Sequence, residues 1–218
     1  GAIGLALEEL LLNRREQVDR MVNAAILAGG LSSRMGQNKA LLEVGGQPII
    51  ERVIERVREA VDGELFIIAN EAGPYERFGL PIYPDVLPGK GPLGGLYTAL
   101  AHSAAPHVLM VSCDQPFLSV PLIRYLASLR EGWDVVVPLN RDNYPQSMYA
   151  IYGQACREPI RRRLDADRLK VIGFFPDVRV REVAGEEIDR FDPERLSFFN
   201  VNTPDDLAAA QQLAAELG

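Results

Sequence analysis

Short apolar runs alternate along this chain with segments whose apolar residues recur every three or four positions. The first kind of pattern predicts buried strands and the second predicts helices with one apolar face. Val22–Ala28 reads as a strand, and Pro48–Val61 as a helix carrying Ile49, Ile50, Val53, Ile54 and Val57 at helical spacing. Leu65–Ala69 and Pro81–Tyr83 follow as strands, the latter leading to Asp85. Gly95–Ser103 is a helix, His107–Ser112 a buried strand, and Pro121–Arg130 a helix with Pro121 tolerated in its first turn. Val135–Pro138 and Ser147–Tyr152 are strands, Gln154–Leu164 is a helix, and Val178–Val183 and Ser197–Val201 are strands. The last helix has Thr203 as N-cap, Pro204 in its first turn, and Asp205 and Asp206 at the positive end of its dipole.

Apolar strands alternating with helices predict an α/β sandwich, a mostly parallel sheet covered by helices on both faces. Ligands of such sheets bind outside the carboxyl ends of the strands. With no repeat, low-complexity tract or long linker, residues 21–218 read as one domain. Residues 1–20 have Leu7, Leu10, Leu11 and Val18 roughly on one face. They read as an N-terminal helical extension or an expression-derived segment ahead of a natural start at Met21. They lack the basic start and cleavage site of a secretory leader.

Composition narrows the chemistry. The chain has 218 residues, 47% of them apolar, and a formal net charge of -7, which argues against general adsorption to nucleic acid or anionic membrane. No apolar run reaches the roughly 20 residues that span a bilayer. The two cysteines, Cys113 and Cys156, are far apart and form no metal-binding or disulfide pattern, which suits a reducing cytoplasm. The two histidines, His102 and His107, flank a helix-to-strand connection and read as surface or packing residues. A histidine triad or histidine-rich metal site has no material to work with.

Four stretches carry candidate chemistry. In AAILAGGLSSRMGQNKALLEV, strand Val22–Ala28 runs into Gly29 and Gly30, where the backbone can bend toward a ligand, and Arg34 and Lys39 add positive charge. It is neither a Walker loop nor a GxGxxG fingerprint, and an ordinary glycine-rich turn fits it too. HVLMVSCDQPFL delivers Asp114 to the end of a buried strand as a magnesium ligand or a capping residue. PDVLPGKGPLGGLYTAL places four glycines and Lys90 after Asp85, as a close approach to a ligand or as a connector. In FFNVNTPDD, Asn200 and Asn202 point to one side of an extended segment, as ligands or as turn and cap residues.

LAGGLSSRMGQNKALL resembles the first signature of the molybdenum cofactor guanylyltransferases, the MobA-like nucleotidyltransferases. GPLGGL, SCDQPFL and FFNVNTPDDL resemble that family's later motifs, in the same order. The resemblance runs from about Val22 to the C-terminus. It implies a Rossmann-like α/β domain that binds GTP with Mg²⁺ and transfers GMP to the terminal phosphate of the molybdopterin cofactor. The products would be molybdopterin guanine dinucleotide and pyrophosphate. Leu27, Ala28, Gly29 and Gly30 would wrap the nucleotide. Lys39 would contact its phosphates with Arg34 supporting, Asp85 would contact the nucleotide, and Asp114 would bind both Mg²⁺ and nucleotide. Lys39, Asp114 and Arg34 are the implied catalytic set. Gly-Gly at 29–30 and the GPLGGL loop favour GTP over CTP.

Molybdopterin is the implied acceptor, and molybdoenzymes or cofactor-synthesis proteins are the implied protein contacts. Two departures from the family pattern stand out: Asn38 replaces the usual Asp before the lysine, and Gln146-Ser147-Met148 replaces QPL. The run Arg157, Arg161, Arg162, Arg163, Arg168 and Lys170 reads as a solvated helix face or as a basic rim for the acceptor phosphate. The alternatives are a cytidylyltransferase or sugar-phosphate nucleotidyltransferase on the same fold, or a GTP-binding assembly protein without catalysis.

Overall fold

A computed structural model gives the architecture and describes residues 21–28 and 38–217. The predicted helix in residues 1–20 lies outside them. The elements run β1 (Val22–Leu27), the hairpin β2 (Glu43–Val44) and β3 (Gln47–Pro48), α1 (Ile49–Ala60), β4 (Leu65–Ile68), β5 (Ile82–Tyr83), α2 (Gly91–His102) and β6 (His107–Ser112). They continue through α3 (Val120–Ser128), β7 (Val135–Pro138), β8 (Tyr149–Gly153), α4 (Arg157–Asp165), β9 (Val180–Val183), the short α5 (Glu186–Asp189) and α6 (Pro204–Leu217). Tight helical turns at Lys39–Leu41, Gly73–Phe78, Gln154–Cys156, Val171–Asp177 and Leu196–Phe198 join them.

Seven strands form one sheet in the order β5-β4-β1-β6-β8-β7-β9. β5, β4, β1 and β6 are mutually parallel, β8 is antiparallel to both β6 and β7, and β9 is parallel to β7. β8 is therefore the one reversed strand of this sheet, and the carboxyl ends of the other six share an edge. The chain steps outward from β1 to β4 and β5, then returns to place β6 on the other side of β1. That reversal is the topological switch point beside which open α/β sheets form their ligand crevice.

Strand periodicity splits the core in two. Ala24 and Ile26 of β1 face a layer with Ile49, Ile50, Val53, Ile54 and Val57 of α1 and Leu122, Ile123 and Leu126 of α3. Ala25 faces the other layer, with Leu93, Leu96, Ala99 and Leu100 of α2 and Ile160 and Leu164 of α4. The sandwich of three layers follows directly from this alternation. None of the described helices is long and apolar enough to cross a membrane.

The residues explain where the boundaries fall. α2 starts at Gly91, four residues before the predicted Gly95, because Pro92 is tolerated in a first helical turn and Gly94 and Gly95 are buried in helical conformation. A Cβ at Gly95 would sit 2.6 Å from the side chain of Leu27, so the glycine lets α2 press against the end of β1. Ser197–Val201 is not a sheet strand. Leu196–Phe198 forms a tight turn, braced by the buried Asp192 carboxylate, which accepts the N–H groups of Leu196 and Ser197 at 3.1 and 3.0 Å. Thr203 caps α6 as expected: Asp206 N–H donates to its hydroxyl at 3.1 Å, and its own N–H donates to the Asp206 carboxylate at 2.8 Å. His102 stacks on Tyr83 at 4.0 Å, and His107 lies 3.4 Å from the Trp133 carbonyl with burial lowering its basicity, so both are packing residues.

The start of β1 is set by a polar staple. The buried Asn23 side chain accepts the Glu64 N–H at 2.8 Å and donates to the Ser103 hydroxyl at 3.0 Å. Gly63 fits against this staple, where an added Cβ would fall 2.4 Å from the Val22 carbonyl oxygen. That contact is to backbone, which cannot swing away. Gly63→Ala should therefore lower folding stability by roughly 1–3 kcal/mol, read from urea unfolding. An unchanged midpoint would show that the β1 start can shift freely.

Candidate active site

β1 ends at Leu27, whose carbonyl accepts the Cys113 N–H at 3.1 Å, while Ala28 N–H donates to the Ile68 carbonyl at 3.0 Å. Leu27 and Ala28 thus sit at the switch point with their backbone held on both sides. Gly29, Gly30 and Arg34 lie outside the described residues.

β6 delivers Cys113 and Asp114 to the same edge. The buried Gln115, 2% exposed, folds back to accept the Ser112 N–H at 3.1 Å and ends the strand. Asp114 is half-buried, and its Oδ1 is shielded from solvent with no hydrogen-bond partner among the described residues. An unmet buried acceptor costs about 1–3 kcal/mol, so this oxygen favours a cation or a donor brought by a ligand. The Asp114 carbonyl accepts the Val201 N–H at 2.9 Å, which draws the segment before α6 across the end of β6.

That contact brings Asn202 to Lys39, whose Nζ donates to the Asn202 amide oxygen at 3.0 Å. The Asn202 N–H holds the Asp206 carboxylate below the usual range, with Thr203 and the charge of Lys39 adding to the effect. The site therefore unites Lys39, Asp114 and Asn202 from three distant parts of the chain. Of the two asparagines in FFNVN, Asn202 joins Lys39. Asn200 donates to the Phe198 carbonyl at 3.1 Å and serves the turn.

Asp85 lies apart. It follows β5, three strands from β6, which at ordinary strand spacing is about 14 Å along the edge. Asn70, just after β4, donates to its carboxylate at 3.0 Å and accepts its N–H at 2.9 Å. Asp85 Oδ1 has no hydrogen-bond partner among the described residues and is shielded from solvent. Asn70 escaped the sequence reading because a lone Asn after a strand looks like a turn residue. Its pairing with Asp85 is a spatial fact with no local sequence signal.

The glycines of the next loop divide into two uses. Gly89 and Gly91 take positive φ of 76° and 59°, conformations that shape the turn. Gly94 and Gly95 serve close packing against Lys90 and Leu27. Lys90 pairs with Asp167 at 2.9 Å. In the basic run, Arg161 pairs with Asp165 at 2.9 Å and Arg162 lies 3.7 Å from Glu158 and 3.9 Å from Asp177, as on a solvated helix face.

No group of three or more His, Cys, Asp or Glu side chains capable of holding a metal occurs among the described residues. Such an arrangement is compatible with Mg²⁺, which commonly takes one or two carboxylates and completes its shell with phosphate oxygens and water. Asp114 and Asp85 each carry a shielded carboxylate oxygen without a partner among the described residues, and each fits such a role.

The class set by this geometry is that of open α/β proteins that bind ligands where the strand order reverses. Comparison with known proteins goes further. The model of the MobA-like NTP transferase domain matches residues 24–175. The probable molybdenum cofactor guanylyltransferase of Pelotomaculum thermopropionicum is 42% identical over 189 residues, 87% of this chain and 91% of that protein. The protein of the same name from Carboxydothermus hydrogenoformans is 38% identical over 85% of this chain and 92% of its own. The crystal structure of molybdopterin-guanine dinucleotide biosynthesis protein A from Archaeoglobus fulgidus has a TM-score of 0.78 at 24% identity, covering 89% of this chain and 100% of that one, a likeness of fold. This chain belongs to the MobA-like NTP transferase family.

Cys113 sits between the two candidate charges without the character of a nucleophile. Burial pushes its thiol up to about 12, the charge of Asp114 adds to this, and Lys39 opposes it. At pH 8 the thiolate is then depleted about a thousandfold relative to a thiol at 9.0. Iodoacetamide should label Cys113 at least about a hundredfold more slowly in the folded protein than in urea, with the rate climbing as pH rises toward 10. Equal rates in the two states, read by mass spectrometry, would contradict this environment.

Proposed function

We propose that this protein transfers GMP from GTP to the terminal phosphate of the molybdopterin cofactor, giving molybdopterin guanine dinucleotide and pyrophosphate. The observation that carries the reading is the meeting of Lys39, Asp114 and Asn202 at the switch point of a chain in the MobA-like family. The names of its relatives supply the nucleotide and the acceptor.

The reaction is an in-line attack by an acceptor phosphate oxygen on the α-phosphorus of GTP. A new P–O–P bond forms as the bond to the β-phosphate bridging oxygen breaks, and pyrophosphate leaves. Phosphate oxygens are already ionised near neutrality, so no side chain has to remove a proton. The work of the protein is to hold two polyanions in line and to neutralise charge. Asp114 would hold Mg²⁺, which when bound neutralises phosphate charge. Lys39, oriented by Asn202, would contact the outer phosphates, with Arg34 supporting it by the family resemblance. Leu27 and Ala28, with Gly29 and Gly30 by the family resemblance, would line the nucleotide. Asp85, oriented by Asn70, takes the end of the nucleotide remote from Asp114. The acceptor then enters from the β8 and β7 side, where Gln146-Ser147-Met148 leads into β8.

Thermal unfolding with GTP, CTP, ATP and UTP, each with and without Mg²⁺, tests the donor. GTP with Mg²⁺ should raise the midpoint selectively. A ligand at 100 times its Kd adds about 2.7 kcal/mol to folded-state stability, which such a scan resolves. A selective shift with CTP or UTP would redirect the reading to another acceptor, and no shift with any nucleotide would overturn it. Asp114→Asn should reduce turnover at least about a hundredfold with the unfolding midpoint of the free protein preserved. Turnover equal to that of the parent protein would make Asp114 structural.

A further inference from the structure

The hydroxyl of Tyr75 joins the end of β1 to the turn that carries Lys39. Tyr75 comes from the tight turn Gly73–Phe78, and the residue is only 3% exposed in the core layer of α1. Its O–H donates to the carbonyl of Ala28 at 2.8 Å. The same oxygen accepts from Asn38 Nδ2 at 3.0 Å. Asn38 Oδ1 accepts the Ala40 N–H at 3.1 Å and so caps the turn Lys39–Leu41.

The donor count is restrictive. A phenol has one proton, and here it goes to Ala28, the nearer acceptor, rather than to Asn38 Oδ1 at 3.3 Å. Position 38 must then offer a donor to Tyr75 and an acceptor to Ala40. An amide does both. A carboxylate serves Ala40 but presents a second acceptor to the phenol, and it would pull the proton away from Ala28. The Asn38 amide nitrogen is thus engaged with Tyr75, and an amide at this position has a structural use.

We propose that Tyr75 is a positioning residue that fixes Lys39 relative to the end of β1 through Asn38, and that Asn38 is the partner this phenol requires. The proposal rests on the reading of Lys39 as a contact for the outer phosphates of GTP. Its consequence is a preference for triphosphate over monophosphate that depends on a hydroxyl buried behind the site.

Calorimetric binding of GTP and of GMP in Mg²⁺ buffer tests this on the full chain. The set is the parent protein, Lys39→Ala, Tyr75→Phe, Asn38→Ser and the double variant of Lys39→Ala with Tyr75→Phe. Lys39→Ala should lower the GTP-to-GMP affinity ratio. Tyr75→Phe and Asn38→Ser should each lower it about fivefold, the scale of one hydrogen bond, with GMP affinity changed less than about twofold. In the Lys39→Ala background, Tyr75→Phe should leave the ratio where Lys39→Ala put it. A merely structural Tyr75 would weaken GTP and GMP alike or lower only the unfolding midpoint, and either result overturns the proposal. If Tyr75→Phe does not fold, Asn38→Ser, a neutral change that keeps an acceptor for the Ala40 N–H and removes the amide donor to Tyr75, carries the same test. A ratio unmoved by Lys39→Ala would instead remove the reading of Lys39, a failure separate from an unmoved ratio in the Tyr75 and Asn38 variants.

Discussion

β1 is hydrogen-bonded to parallel strands on both edges and packed by helices on both faces, and its end can lie in only one place. Because β4 and β6 flank it, the chain leaves its carboxyl end where strand order reverses. Three ties converge there: the Leu27 carbonyl to Cys113, the Ala28 N–H to Ile68, and the Ala28 carbonyl to Tyr75. A strand at the sheet edge would give such a site one supporting neighbour. A central strand gives it two, and the positions of Asp114 and Lys39 follow from them.

The second constraint is the segment before α6. Val201 is fully buried, and its N–H is bonded to the Asp114 carbonyl. That fixes Asn202 beside Lys39 and sets Asp206 to cap the helix by accepting the N–H groups of Asn202 and Thr203. One short segment thus joins the C-terminal helix to Lys39. Asp85 and Asn70 form a separate polar pair along the same edge, beyond β1 from Asp114.

Much of this was legible in the sequence, for definite reasons. The helix over Ile49–Ala60 was readable to within a residue at each end because its apolar positions repeat cleanly and valine and isoleucine fill them. β6 was readable because a buried parallel strand is a continuous apolar run. Thr203 and Asp206 declared the last helix through capping chemistry. The start of α2 was misplaced because glycines read as loop, while here Gly94 and Gly95 serve close helix packing. Ser197–Val201 looked like a strand because Phe198, Phe199 and Val201 make a short apolar run, yet Phe198 and Phe199 are half-buried against Tyr149 and Phe117 and the segment crosses the end of β6 without joining the sheet. Asp114 stood out through its place after an apolar run. Asn70, Tyr75 and the Lys39–Asn202 contact depend on residues brought together by the fold, which no local spacing reveals.

Guanylyl transfer to a pterin phosphate at this site releases pyrophosphate, which can be followed as it forms. The purified protein is given each nucleoside triphosphate with Mg²⁺, alone, with molybdopterin cofactor, and with a sugar phosphate. Pyrophosphate should appear with GTP and the pterin acceptor together, at a rate far above that of any other pair. Pyrophosphate from CTP or UTP, from a sugar phosphate acceptor, or from no combination despite tight GTP binding would contradict this reading.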